Sequence, residues 1–243
     1  MSSAMGRVTR SVLITAIVAA VSLFAVAEAV ACGTGGYSYA GVAAPGHAYG
    51  ISASITPLPA FSVLSGHVAG WVGVGGPGEG PDGTDEWLQV GFSGFPWASE
   101  SSLYYELTLP GRSPTYHEIA TGLSSGTAER VAVLEIHGRR NWWRVWVNGS
   151  PASRPIHLPG SHGRWAPIAT AESWDGGTGG DCNGFLYRFN GVTLAHAPGG
   201  AWQPLSGGYT ITSPTTRLAR EGGPSFIAAE GDTALRTLAA IHT

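Results

Sequence analysis

Two side chains stand out against their surroundings. Gln89 is an amide set among Trp87, Leu88 and Val90 in the segment WLQVG, where a strand would be expected to carry apolar side chains. Glu172 follows the apolar segment WAPIA, in TAESWDGG. An amide and a carboxylate, each planted in an apolar strand, make a candidate hydrolytic pair. One carboxylate can take a proton from water and later return it to a leaving amine. An amide N–H can face an oxygen that becomes negative without itself titrating, a contact worth roughly 3–4 kcal/mol of barrier. The bland reading is a strand amide bonded to nearby backbone and a solvated carboxylate at a loop edge, since buried polar groups are usually satisfied structure.

The elements that must position this pair read as strands. Within residues 67–91, the runs HVAGWVGVG and WLQVG flank a Gly/Pro-rich loop, as two strands joined by an insertion. LYYELTLP (103–110) is a further strand. ERVAVLEIHG (129–138) and NWWRVWVNG (141–149) form a hairpin closed at Gly138-Arg139-Arg140, and Asn148-Gly149 marks the next turn. NGFLYRFNGVTLAHA (183–197) supplies two more strands. The one helical pattern is DTALRTLAAI near the C-terminus, where a last strand fits equally well. Many strands at short spacing, broken by 37 Gly and 16 Pro without intervening helices, imply an all-β, two-sheet antiparallel β-sandwich. With no internal repeat and no long linker, the sandwich is one domain over residues 51–243. Residues 30–50, rich in Gly, Ala and Tyr, read as a loosely structured N-terminal arm.

The N-terminus points to export. Arg7 and Arg10 precede the apolar run SVLITAIVAAVSLFAVA and the small-residue sites Ala27-Glu28-Ala29 and Ala29-Val30-Ala31. Residues 1–29 read as a signal peptide and the mature chain as secreted, with a retained anchor or a lipid on Cys32 as the alternatives. Removing 29 of the 243 residues leaves 214, enough for one sizeable core. Charged residues are 12% of the chain and the net charge is −3, which supports neither nucleic-acid binding nor attraction to anionic membranes. Cys32 and Cys182 would both survive cleavage, and one disulfide is their natural reading in an oxidising compartment.

Other chemistries find less support. The eight His show neither HExxH nor pairing with acidic residues on one element, so no metal site is expected. There is no GxSxG elbow. Glu79, Asp82, Asp85 and Glu86 are spaced acids in the 73–86 loop, without EF-hand spacing, and that loop reads as a flexible rim. In NWWRVWVNG, Trp142, Arg144 and Trp146 share one face and Trp143, Val145 and Val147 the other. The second set looks like core, while the first is exposed or lines a concave sheet face.

Taken in order, five segments resemble the glutamic peptidases (the eqolisin family), secreted acid-acting endopeptidases that use one Gln and one Glu. WVGVGG at 71–76 is similar to the family's Trp-Val-Gly-Ile-Asp-Gly strand, and WLQVG to its Ile-Leu-Gln-Thr-Gly strand. LYYEL matches a Tyr-Glu strand, residues 126–150 a hairpin ending in an Asn turn, and Ala171-Glu172 the family's Ala-Glu-Trp segment. The resemblance spans about residues 50–235. It implies a jelly-roll, concanavalin A-like sandwich, with Gln89 and Glu172 catalytic and Trp71, Trp87, Glu106, Trp142 and Trp146 supporting or contacting substrate. It further implies a polypeptide substrate, no cofactor and a monomer. Three departures accompany it. Gly75 stands where the family has Asp. Ser173 stands where it has Trp, with Trp174 one place later, a change that implies either a small bulge or a different substrate cleft. Little chain separates the signal peptide from the first strand, although fungal members carry a propeptide. The nine Trp keep a carbohydrate-binding sandwich open as a rival reading, and Gly75 keeps open an inactive relative of the family.

Overall fold

The computed structural model describes residues 36–176 and 183–241. The expected signal peptide (1–29) and both partners of the expected Cys32–Cys182 disulfide lie outside these residues.

Among the described residues the chain folds as sixteen strands and one α-helix. The first eight strands are β1 (Tyr37–Ala43), β2 (Gly50–Pro57), β3 (His67–Gly76), β4 (Glu86–Gly94), β5 (Ser101–Thr108), β6 (Thr115–Leu123), β7 (Glu129–Glu135) and β8 (Trp142–Val147). They are followed by β9 (Ser150–Pro151), β10 (Ile156–His157), β11 (Ile168–Trp174), β12 (Phe185–Ala197), β13 (Gly200–Pro204) and β14 (Tyr209–Thr212). β15 (Thr216–Gly222), β16 (Ser225–Glu230) and helix α1 (Asp232–Ile241) complete the fold. One sheet runs β14-β1-β11-β3-β4-β5-β6, and the other β10-β8-β7-β2-β12-β16-β15, with β9 beside β8 and β13 beside β12. The pairings are antiparallel, so this is the expected all-β sandwich.

Period-two alternation decides which side chains meet between the sheets. Val68, Val72 and Val74 of β3, Leu88, Val90 and Phe92 of β4, and Ala169 and Ala171 of β11 are buried in the core. They meet Ile51 and Ile55 of β2, Val131 and Val133 of β7, Trp143 and Val145 of β8, and Phe185 and Phe189 of β12. Each large apolar side chain buried here contributes roughly 1.5–3 kcal/mol against water. Outside the second sheet, Ala234 and Leu238 of α1 pack on Leu186, Ile227 and Ala229. The helix thus covers part of one outer face, and the seven-stranded sheet presents its own to solvent.

Several sequence expectations need correction. Residues 30–50 do not form only a loose arm. Within them, β1 is inserted between β14 and β11, with Ala40 and Val42 buried and Tyr37 and Tyr39 turned outward. The alternation was present but small, and pairing on both edges overrides the weak strand propensity of Gly and Ala. NGFLYRFNGVTLAHA yields one long strand, β12, because the Asn190-Gly191 signal is absorbed as an irregularity between Asn190 and Thr193 instead of a turn. DTALRTLAAI is a helix. The loop after β3 is pinned: Trp165 Nε1 donates to the Glu79 carbonyl at 3.1 Å, and Gly78 N–H to Asp85 at 3.0 Å.

Beneath that loop lies Glu86, the first residue of β4, paired with Gly76 and fully buried. Neither carboxyl oxygen has a hydrogen-bond partner. Burial pushes its ionisation up to about 7. Between an unfolded value of about 4.5 and this folded value the native chain holds a proton that the unfolded chain releases, so stability falls as pH rises through that window. The whole cost, on the order of 3 kcal/mol, is present above pH 7. Glu86→Gln should therefore raise the denaturation midpoint at pH 8 and leave it nearly unchanged at pH 4, as read by denaturant titration at both values. Parallel behaviour of the two proteins across that range would exclude a buried ionisable Glu86.

Candidate functional site

The open face of the seven-stranded sheet carries the polar residues that the alternation keeps out of the core. Gln89 on β4 stands between Gly73 of β3 and Glu106 of β5. Glu172 on β11 stands between Tyr39 of β1 and Ala69 of β3. Ala69, Gly73 and Gly91 leave a low floor between the two, over which the long side chains lean. Gly91 is required there: a Cβ would come within 2.6 Å of the Trp71 Cα and 2.0 Å of the Gly70 carbonyl oxygen.

Both residues open into one cleft of about 330 Å³, also lined by Tyr37, Trp71, Trp87, Glu106 and Thr170. Glu172 is 4% exposed, so it is not the solvated loop-edge carboxylate of the bland reading, and Gln89, 7% exposed, bonds a side chain. Gln89 Nε2 donates to the Tyr104 hydroxyl at 3.0 Å, which fixes the amide and leaves its second N–H free. Trp87 Nε1 donates to Glu106 Oε1 at 3.0 Å. Trp71 Nε1–H is buried with no partner. At the end of the cleft, His67 Nε2 lies 3.6 Å from Glu172 Oε1.

The electrostatics follow from an anion set among rings. Burial, then the Glu172 charge, pushes the Tyr37 hydroxyl up to about 12. The same causes, in the same order, raise Tyr39, Tyr104 and Tyr187 well above the usual phenol value. These phenols stay protonated at any working pH. Burial also raises the Glu106 carboxyl. The Trp87 hydrogen bond opposes this, the Glu172 charge adds to it, and His67 opposes it in turn. The cleft therefore holds two acids in unlike environments, with Glu106 kept protonated to higher pH than an ordinary carboxyl.

Of the sequence-predicted site residues, Gln89, Glu172, Glu106, Trp71 and Trp87 share this cleft. Trp142 and Trp146 do not. They lie on the outer face of the opposite sheet, where Arg139 sits 4.5 Å over the Trp142 ring and Arg144 5.9 Å from that of Trp146. The face shared by Trp142, Arg144 and Trp146 was correctly separated from the core set, but the register puts it away from the cleft. Ser173 needs no bulge, because β11 runs in unbroken register with β1 and β3. Ser173 turns inward to accept a hydrogen bond from Asn183 Nδ2 at 3.0 Å, and Trp174 takes the outward position at the cleft end. At Gly75 a φ of +78° and a Cβ only 2.2 Å from the Glu86 carbonyl oxygen exclude a carboxylate side chain without strain. His67, Tyr37, Tyr39, Tyr104 and Trp174 were not singled out from the sequence. Parity could have found His67, since positions 67, 69 and 71 share a face with Trp71.

No protein-family profile matches this sequence, and no curated protein sequence matches it. Among solved structures, scytalido-glutamic peptidase bound to a peptide-based transition-state analogue aligns with 79% of this chain and 98% of its own, at 16% identity and a TM-score of 0.55. SCP-B, a member of the eqolisin family in complex with the tripeptide Ala-Ile-His, aligns with 80% of this chain and 98% of its own, at 16% identity and a TM-score of 0.50. At that identity the likeness is one of fold: this chain has the sandwich architecture of these peptidases.

The Trp87–Glu106 contact yields a prediction of its own. Trp87→Phe keeps an aromatic ring but removes the N–H that stabilises the charged carboxylate, so Glu106 should titrate at still higher pH. Carboxyl carbon shifts followed by NMR across the acid range check this. A titration of Glu106 that stays in place, or moves toward acid, would show that the indole N–H does not stabilise the anion.

Proposed function

We propose that this protein is an exported, acid-acting endopeptidase of the glutamic type, acting as a monomer on polypeptide chains without a cofactor. The observation that carries the reading is the meeting of Gln89 and Glu172 in one half-enclosed cleft on the sheet's open face, although 83 residues apart in sequence. In this reading, ionised Glu172 accepts a proton from a water molecule as its oxygen attacks the scissile carbonyl carbon. The free N–H of Gln89, with the Tyr104 hydroxyl behind it, faces the oxygen that becomes negative. The protonated Glu172 then gives its proton to the leaving nitrogen as the C–N bond breaks, which returns the carboxylate and releases acid and amine. Trp71 and Trp87 line the cleft with apolar surface and exclude water, and Glu106, mostly protonated in acid, is assigned to orientation or substrate contact.

Acid operation has independent support. Burial raises the Glu86, Glu106 and Glu230 carboxyls, so the folded chain holds protons that the unfolded chain releases and is favoured at low pH.

The purified protein should cleave unfolded polypeptide best in acid and resist chelators as well as serine- and thiol-directed reagents. Glu172→Gln should abolish turnover. Gln89→Ala should lower kcat roughly a hundredfold or more. Both variants should stay folded, since the side chains stand in a cleft and not between the sheets. Near-normal proteolysis by either variant would remove the pair from the mechanism. Specific glycan binding with no peptide cut between about pH 2 and 7 would assign the cleft to carbohydrate instead.

A further inference from the structure

His67 opens β3 on the same face as Ala69 and Trp71, with Trp174 as its register partner on β11. Rings hold its imidazole on several sides. It stacks on Trp174 at 5.7 Å and 27°, meets Tyr37 edge-on at 6.2 Å, and tilts against Phe95 at 6.1 Å. The caged ring brings Nε2 to 3.6 Å from Glu172 Oε1, with the His side chain 25% exposed and that of Glu172 6%. At this length the contact is an ion pair when the imidazole is protonated, and it is longer than a hydrogen bond.

The other groups facing the pair are known element by element. Tyr37 and Tyr39 come from β1, Tyr104 and Glu106 from β5, and Tyr187 from β12 beneath the sheet. The phenols are neutral, and Glu106 carries a carboxyl that burial holds protonated to higher pH. No Arg lines the cleft among the described residues. Among the described residues lining or flanking the cleft, His67 is therefore the basic side chain within reach of Glu172.

We propose that His67 is a positioning residue whose imidazole pairs with Glu172 Oε1 and turns the other carboxyl oxygen toward the attacking water. The proposal rests on the assignment of Glu172 as the base. His67 keeps its proton throughout; the proton that moves passes from water to Glu172 and on to the leaving nitrogen.

Two measurements test it, and they fail separately. The first needs no activity: the His67 ring protons are titrated by NMR in the wild type and in Glu172→Gln. Loss of the carboxylate should lower the His67 midpoint by about one pH unit. An unchanged midpoint would overturn the pairing. The second compares pH profiles of kcat/KM for the wild type, His67→Phe and His67→Gln. His67→Phe keeps a ring among its aromatic neighbours and removes the charge, and His67→Gln keeps a neutral donor. Both should move the acid limb to higher pH and lower kcat more than they change KM. Profiles that superimpose on the wild type would overturn the positioning role. A wild type that cuts no peptide would overturn that role together with the hydrolytic reading, and the ring titration would still decide the ion pair.

Discussion

The register of β11 between β1 and β3 is the constraint on which the site depends. Side chains alternate strictly, so a slip of one residue would carry Glu172 into the hydrophobic interior and Ala171 into the cleft. Placing an unpaired carboxylate between the sheets would cost several kcal/mol. The fold guards against the slip at both ends of the strand. Ala169 and Ala171 are small enough to sit beneath the sheet, and Ser173 is tied to Asn183. Opposite Ser173, Ser38 of β1 donates to Glu230 at 2.8 Å, which locks the first sheet to the end of β16 in the second. The geometry of the cleft is thus a consequence of core packing, because the residues that fill the core also fix its parity.

That arrangement carries an electrostatic consequence. The buried carboxyls Glu86 and Glu230 are far from mobile counterions and, with Glu106, favour the protonated form through desolvation. At neutral pH such groups work against the folded state, and in acid they do not. In the cleft, Glu172 stands among phenols that burial and its own charge hold protonated, with the His67 ring at 3.6 Å. Glu106 shares that cleft, and because burial keeps it protonated to higher pH, the proposed base is spared a second anion beside it.

Much of this was legible in the sequence where periodicity was strong. WLQVG and LYYEL read as strands, so Gln89 and Glu106 could each be placed on a strand, while the register that sets them side by side came from the fold. The β7–β8 hairpin was equally clear from Arg139-Arg140 and Asn148-Gly149. What stayed hidden was global. The Gly- and Ala-rich segment that becomes β1 carries little propensity of its own, and its strand exists because β11 and β14 present edges to it. The separation of Trp142 and Trp146 from the cleft depends on which sheet β8 joins, and no local pattern states that. His67 was read as one of several scattered histidines because its partner lies 105 residues downstream, on a strand that parity alone cannot orient.

Gly75 shows how a departure in one strand shapes the rest of the cleft. Its backbone turns to a positive φ where β3 leaves the sheet, and the close approach of the Glu86 carbonyl leaves no room for a side chain. A carboxylate there would have been a third acid in an apolar cleft that already holds Glu172 and Glu106. Like charges brought together out of water suppress one another's ionisation. With Gly at 75, the second acid comes from β5 alone, and it is fixed by the Trp87 indole at 3.0 Å. The cleft then holds two carboxyl groups, of which burial keeps Glu106 protonated to higher pH, and it sets the His67 ring 3.6 Å from Glu172. Glu172 is thereby the acid of the cleft with a basic side chain in reach, and the proposed division of roles rests on that asymmetry.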